Sequence, residues 1–232
     1  MKALLDSLRS SLPKYIITQP STKKKITYRP FTVREEKVLL MSNQTGEYED
    51  FLTTLADIID NCFELETKSK KLPIFDVEYF FIKLRSKSIG EQVEPIIVCK
   101  ETKEKIQLNL NLDDIIPVYP ENHSKTVAIG SDIIVNMKYP SLEYLISNKD
   151  FDYYDMLIDC IDTIETKSEL IDSKVVSRES IKEFIDLLTK KQFESLIEFF
   201  KTMPKIEKEI EYKTSDGVTR KILLRGLRDF FQ

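Results

Sequence analysis

The sequence predicts an α+β protein whose sheets are antiparallel. Three observations lead to this prediction: helix-spaced apolar stripes before residue 88 and after residue 140, alternating apolar positions between 93 and 138, and a hairpin pattern near each end. The expected fold is a helical N-terminal region with a small β-hairpin, a central antiparallel β-meander, and a helical C-terminal region that ends in a β-hairpin. We assign these regions to 1–92, 93–139 and 140–232, forming either one compact unit or two domains.

The first region begins with a short amphipathic helix, predicted from Leu5, Leu8 and Leu12 and ending at Pro13. Two strands, 15–19 and 24–29, follow around a Pro20-Ser21 turn. Thr32 and Glu35 then form a capping box, because each side chain can satisfy a backbone N–H at the start of a helix. That helix is expected to reach Met41. A second apolar stripe predicts the next helix: Phe51, Leu55, Ile58, Ile59 and Cys62.

A third helix, at 76–87, is the segment around which the fold is expected to be organised. Asp76 is its predicted N-cap. Its apolar stripe has the i, i+3, i+4, i+7 spacing of one helix face and consists of Val77, Phe80, Phe81 and Leu84. Tyr79 and Ile82 point to the opposite side, so we expect this helix to be covered on more than one side, with Phe80 and Phe81 both buried.

The central region changes to a period of two. Apolar residues occupy every second position from Ile106 to Leu112, which predicts a half-buried strand, and 96–99 is its expected hairpin partner. The same alternation returns at Ile133, Val135 and Met137. We therefore expect a single meander over 93–138.

The third region is predicted to contain a helix over 151–164, a polar and mobile connection over 165–177, and an αα-hairpin. The last helix of that pair opens with a Thr189–Gln192 capping box and carries the stripe from Phe193 to Phe200. A terminal hairpin follows, in which a three-residue loop with a left-handed Gly217 places Glu211 opposite Lys221 and Glu207 opposite Arg225. We expect its apolar face to pack on the Phe193–Phe200 helix.

Charge is unevenly distributed along the chain, whose net charge is −4. Residues 1–30 carry seven basic groups against one acidic group, and residues 149–172 carry eight carboxylates against two lysines. Oppositely charged ends suit contacts with proteins better than a broad nucleic-acid surface. The three cysteines are odd in number and surrounded by apolar residues, which predicts buried, reduced thiols. The sequence has no apolar run of the roughly 18 residues that would span a membrane, so we expect no membrane partner.

Candidate chemistry is sparse. Asp152, Asp155, Asp159 and Asp162 recur at helical spacing and could hold Mg²⁺ or Ca²⁺, but the solvated back of an amphipathic helix explains them better. If this face has a function, docking of a basic partner is favoured over catalysis. His123 is the only histidine and is expected to be a solvated loop residue. We therefore predict no enzymatic activity, no cofactor, no metal site and no small-molecule substrate.

A basic tip at 23–25 on the first hairpin supports an alternative function, a nucleic-acid-binding adaptor. A run of lysines on an edge hairpin is more commonly a solvated feature that protects the strand edge. Nucleic acid is therefore the less favoured partner.

Two motifs support a family assignment. The first is Arg29-Pro30-Phe31 followed by Glu35-Glu36-Lys37, and the second is the segment 83–91, KLRSKSIGE. In this order and at this separation they resemble the baseplate hub assembly proteins of T4-like contractile-tailed phages. The resemblance covers about the first 90 residues and returns at Gly226 to Phe231.

This resemblance implies a non-enzymatic phage tail protein that acts in assembly of the central baseplate hub, as a chaperone-like assembly factor or as a minor structural subunit. Its expected partners are other hub and tail proteins. Its expected location is the host cytoplasm during assembly or the tail baseplate of the virion. The residues expected to bind a partner are Tyr79, Phe81, Ile82, Lys83, Arg85, Lys87, Phe230 and Phe231.

Overall fold

A computed structural model describes residues 1–45, 48–148 and 152–231. The chain forms two compact units: unit 1 contains Met1–Val118 and Lys205–Gln232, and unit 2 contains Tyr119–Pro204. The boundaries expected from the sequence, after residues 92 and 139, do not coincide with these limits. The reason is a strand pairing within unit 1 that joins residues 117–118 to residues 205–206.

Unit 1 begins with α1 (Lys2–Ser10), the hairpin β1 (Tyr15–Thr18) and β2 (Lys25–Tyr28), and three further helices: α2 (Val33–Thr45), α3 (Tyr48–Cys62) and α4 (Ile74–Ser88). Five short strands follow: β3 (Gln92–Val93), β4 (Ile96–Val98), β5 (Lys105–Gln107), β6 (Leu110–Asn111) and β7 (Pro117–Val118). A 3-10 turn, Leu112–Asp114, separates β6 from β7.

Unit 2 contains β8 (Thr126–Ile129), β9 (Ile133–Met137), α5 (Leu142–Ser147), α6 (Tyr153–Cys160), β10 (Ile161–Thr166), β11 (Leu170–Asp172), α7 (Arg178–Asp186) and α8 (Lys190–Thr202). Its sheet has the order β11-β10-β9-β8 with antiparallel neighbours. Buried residues of α6, α7 and α8 form one apolar core with residues of this sheet. The chain then returns to unit 1 as β12 (Lys205–Lys213), β13 (Thr219–Arg225) and α9 (Gly226–Phe231).

The first hairpin is joined to α4 through Asp76, which is fully buried. Its carboxylate accepts hydrogen bonds from Ser21 N at 2.9 Å and Gln19 Nε2 at 2.6 Å, and from the Ser21 hydroxyl. Burial raises the Asp76 pKa, and these donors oppose that rise. The sequence predicted Asp76 as the N-cap of α4, but this is wrong. The helix begins at Ile74, and Pro73 is at the N-cap position. Asp76 holds the hairpin turn instead.

Helix α4 is the centre of unit 1. Phe80, Ile82 and Leu84 have no exposed surface, and Phe81 is also buried, so the helix is covered on more than one side, as predicted. Phe80 stacks on Phe63 at 4.8 Å between ring centroids, and Phe63 stacks on Tyr28 at the same distance. The core therefore connects α4 to the first hairpin through three rings.

The central strands do not form one meander. β4 pairs with β5, and β3 pairs with β6, whereas β8 and β9 belong to the sheet of unit 2. The predicted partner of β5 is correct, but the single strand expected from Ile106 to Leu112 is divided into β5 and β6, and Leu112 begins the 3-10 turn. Alternation carried no information about this break or about the other pairings, because a period of two is the same for every partner.

The predicted helix over 151–164 is also too long. α6 ends at Cys160, and Ile161 starts β10. The residues from Ile161 to Thr166 include two isoleucines and two threonines, whose branched side chains favour a strand. The polar segment 165–177, predicted to be a mobile connection, contains the end of β10 and the paired strand β11.

The register predicted for the terminal hairpin is confirmed. Glu211 lies opposite Lys221 and Glu207 opposite Arg225, and Gly217 has a φ of +79°. The predicted packing is wrong: α4 and α9 contact this hairpin, whereas the helix with Phe193–Phe200 belongs to the core of unit 2. A strand pattern shows which face is apolar but not which helix covers it.

Candidate partner-binding face

The residues of α4 that were predicted to bind a partner lie on two flanks, and the first flank faces the 3-10 turn. Lys83 Nζ donates to the carbonyl oxygens of Leu112 at 3.0 Å and Asp113 at 2.8 Å. Lys87 Nζ lies 2.7 Å from an Asp113 carboxylate oxygen. Burial lowers the Lys83 pKa, with the Asp113 charge opposing it. These two lysines therefore connect α4 to the 3-10 turn within unit 1, and both side chains are half-buried.

The second flank of α4 packs against α9. The Phe81 and Phe231 rings meet edge to face at 5.5 Å between centroids, so residues 150 positions apart in the sequence become neighbours. Phe51 also meets Phe81 edge to face at 6.4 Å between centroids, and Tyr48 stacks on Phe51 at 6.3 Å. We call Tyr48, Phe51, Phe81 and Phe231 the aromatic row.

An arginine lies at each end of the aromatic row. The Arg228 guanidinium lies 3.9 Å from the centroid of the Tyr48 ring, and that of Arg85 lies 5.7 Å from the centroid of Phe231. Arg85 also donates to the Gly90 carbonyl at 2.7 Å, which fixes its direction. Arginines placed over aromatic rings keep their charge, and arginine and aromatic residues are enriched in protein interfaces.

A carboxyl group lies beneath the α9 end of this face. Burial raises the pKa of Glu78 to about 7, while a hydrogen bond from the Leu227 backbone N–H opposes the rise. Gly226 leaves room for this carboxyl, since a β-carbon there would lie 2.9 Å from Glu78 Oε1. Tyr48 faces the same group, and its pKa is raised by burial and by the Glu78 charge.

The structure leaves only some of the residues that were predicted to bind a partner accessible on this face. Phe81, Ile82 and Phe230 are buried inside unit 1, whereas Tyr79, Lys83, Arg85, Lys87 and Phe231 are half-buried. The predicted partner-binding residues did not include Tyr48, Phe51 and Arg228, which complete the face. The aromatic and basic composition of Gly226 to Phe231 was a signal for Arg228; no local pattern marked Tyr48.

The four aspartates at helical spacing, which the sequence assigned to the solvated face of one helix rather than to a metal site, do not share one helical face. Asp152 caps α6 by accepting a hydrogen bond from Tyr154 N, and Asp162 lies in β10. Arg178 lies 3.1 Å from Asp155 and also pairs with Asp159. Within the described part of the chain, no three His, Cys, Asp or Glu side chains are placed to hold a metal ion.

His123 is not the solvated loop residue expected from the sequence. Its ring stacks on Tyr139, and its nitrogens lie 2.9 Å from the Tyr139 hydroxyl and 3.1 Å from the Thr202 hydroxyl. Burial lowers the His123 pKa, and the nearby Lys125 lowers it further. A neutral histidine with both nitrogens engaged anchors its loop within unit 2.

The basic tip of the first hairpin is partly compensated by carboxylates of unit 1. Lys24 Nζ lies 2.6 Å from Glu66 Oε2, and the charge of Lys23 acts on Asp76. The three cysteines are free and buried, as predicted. Burial raises the pKa of Cys62 and of Cys160 to about 12, which keeps both thiols protonated. None of the described helices has both the length and the apolar character of a membrane span.

Together these observations describe a mixed helix-and-sheet protein with antiparallel sheets, as the sequence predicted. The family model described as T4 bacteriophage base plate protein matches residues 12–232, nearly the whole chain. The chain therefore belongs to the T4 bacteriophage base plate protein family, and its role is in the phage baseplate. Membership implies a place in the virion tail and contacts with other baseplate proteins. No curated protein and no solved structure matches the chain.

Proposed function

We propose that this protein acts without enzymatic activity in assembly of the central baseplate hub, and that it binds a hub protein through the aromatic row and its two arginines. The observation that supports this proposal is that Arg85 and Arg228 lie over the rings at the two ends of the aromatic row. An arginine held over an aromatic ring has lost part of its side-chain freedom before binding, so it costs less entropy to order in a complex.

The chemistry of this face favours a protein partner. Phe231 supplies half-buried apolar surface, and Arg228 is exposed beside it. A partner protein that presents an apolar side chain next to a carboxylate would match this face, because the apolar side chain would contact Phe231 and the carboxylate would pair with Arg228. Aromatic and arginine residues that are desolvated at the centre of an interface carry most of the binding energy, commonly about 2 kcal/mol or more each.

The experiment compares the parent chain with Arg228→Glu and Phe231→Ala in infected cells in which the altered gene is the only source of the protein. Baseplates would be separated by sedimentation and examined by electron microscopy. We expect both variants to fold and to reduce the yield of complete hubs. Leu170→Glu, at an exposed position of unit 2, is the matched control and should leave the yield unchanged.

Normal hub yield in both variants would contradict the proposal. The same sedimentation experiment separates the two roles that the family leaves open. A structural subunit is recovered in finished baseplates in fixed ratio to other subunits, whereas an assembly factor is recovered only with incomplete ones.

A further inference from the structure

The carboxyl group of Glu78 lies where α4 meets α9, and it forms no ion pair within the described residues. It accepts a hydrogen bond from the Leu227 N–H, the second residue of α9. The backbone of α9 also comes close to it at Gly226, whose φ is +64° and where a β-carbon would lie 2.9 Å from Glu78 Oε1. The start of α9 is therefore packed directly on a titratable group.

The other ionisable groups around Glu78 do not compensate its charge. Tyr48 of α3 faces it, and Arg228 of α9 lies over the Tyr48 ring, 3.9 Å from the centroid. The 3-10 turn and β12 also pack on α4, but the charges of Asp113 and Lys208 act on the first flank. An ionised Glu78 therefore has one backbone hydrogen bond to offset the cost of burying a carboxylate.

Among the helices around Glu78, α9 is the one held by the fewest contacts. It has six residues, of which two, Leu227 and Phe230, are buried. α3 and α4 have 15 residues each, with six buried in α3 and eight in α4. Elements with few buried apolar contacts open locally at the lowest free energy. Movement of α9 is therefore the least costly way for water to reach an ionised Glu78.

We propose that ionisation of Glu78 releases α9 from α4, so that the docking of α9 depends on pH. A protonated carboxyl lies beneath Gly226 without burying a charge, whereas an ionised one becomes hydrated when α9 moves away. Phe231 and Arg228 both belong to α9, so they leave the aromatic row when it opens. The consequence for binding a hub protein, through a face that is complete only while α9 is docked, rests on the proposed function; the movement of α9 does not.

The direction and size of the effect follow from proton linkage. Burial raises the pKa of Glu78 from 4.5 to about 7 while α9 is docked, and the pKa returns toward 4.5 once the carboxyl is hydrated. The docked state therefore binds the proton more tightly, and opening becomes more favourable as the pH rises from 4.5 to 7. With these values, the opening equilibrium of α9 should rise at least about tenfold between pH 5 and pH 8.

Amide hydrogen exchange of the purified full-length chain, followed by mass spectrometry, tests this. The parent and Glu78→Gln are compared at the same pH, so that the intrinsic exchange rates of residues 225–231 cancel. We expect the ratio of parent to variant exchange rates in this segment to grow at least about tenfold from pH 5 to pH 8. Glu64→Gln, at an exposed carboxyl, is the matched control and should follow the parent. Circular dichroism checks that each variant is folded.

The same pH dependence in the parent and Glu78→Gln would overturn the inference. Amides of α9 that exchange as slowly as those of α3 at pH 8 would also overturn it, because α9 would then open only when unit 1 unfolds. Neither result depends on a partner. Normal hub yield in Arg228→Glu and Phe231→Ala would contradict the proposed function and leave the exchange result unchanged, so the two failures are distinguishable.

Discussion

The carboxyl group of Glu78 gives unit 1 a pH-dependent stability whose size can be worked out. An ordinary glutamate has a pKa of 4.5, and burial raises that of Glu78 to about 7 in the folded chain. The folded state therefore binds a proton more tightly than the unfolded state does. Between these two pH values, folding takes up a proton, so the free energy of unfolding falls as the pH rises.

The magnitude follows from the size of the shift. Two and a half pKa units, at 1.36 kcal/mol each, correspond to about 3 kcal/mol of stability that is present below pH 4.5 and lost by pH 7. Glu78→Gln removes the titration while keeping the shape of the side chain and its ability to accept the Leu227 N–H. We expect this variant to match the parent near pH 4.5 and to be more stable than it at pH 8, by up to about 3 kcal/mol.

Urea denaturation followed by circular dichroism from pH 4.5 to pH 8 measures this difference. Glu64→Gln is the matched control, because Glu64 is 62% exposed and forms a surface ion pair with Lys14. Such pairs contribute about 0–1 kcal/mol, so the control should follow the parent profile closely. Parallel pH profiles for the parent and Glu78→Gln would refute the buried-carboxyl account.

Three further perturbations have defined outcomes. Phe80→Ala should lower the free energy of unfolding by about 3–5 kcal/mol, since Phe80 is fully buried, and a loss below about 1 kcal/mol would contradict the central role of α4. Gly226→Ala should destabilise the chain more than Gly130→Ala, because both glycines have positive φ but only the first would contact Glu78; equal melting temperatures would count against this. Asp155→Asn with Asp159→Asn should leave the melting temperature insensitive to added Mg²⁺, as in the parent, and a Mg²⁺-dependent rise confined to the parent would show that these residues bind the ion.

Local sequence patterns predicted the elements well where one physical requirement dominated. The terminal hairpin is an example: a left-handed Gly217 and two opposite-charge pairs allow one register, and the structure has that register. Thr189 and Gln192 likewise form the predicted capping box. In both cases the interacting residues are close in the sequence, so the pattern contains all the partners.

Long-range partners could not be read from spacing. The aromatic row combines Tyr48, Phe81 and Phe231, and no periodic pattern relates positions so far apart. Asp76 looked like a helix cap because its true partner, Ser21, lies 55 residues earlier. Ile161 continued the helical spacing of the preceding apolar residues, although it is the first residue of a strand rich in β-branched side chains.

The order in which the two units receive their residues during synthesis has a consequence for folding. Unit 2 is continuous, from residue 119 to 204, so a ribosome delivers all of it before the last strands of unit 1. Unit 1 also needs Leu227 and Phe230 of α9, which are buried in it and are translated after all of unit 2. Until they emerge, the surface of α4 that packs against α9 stays uncovered. Synthesis of unit 2 is therefore complete while unit 1 still lacks its last two strands and α9, and the apolar surface that they cover is open during that interval.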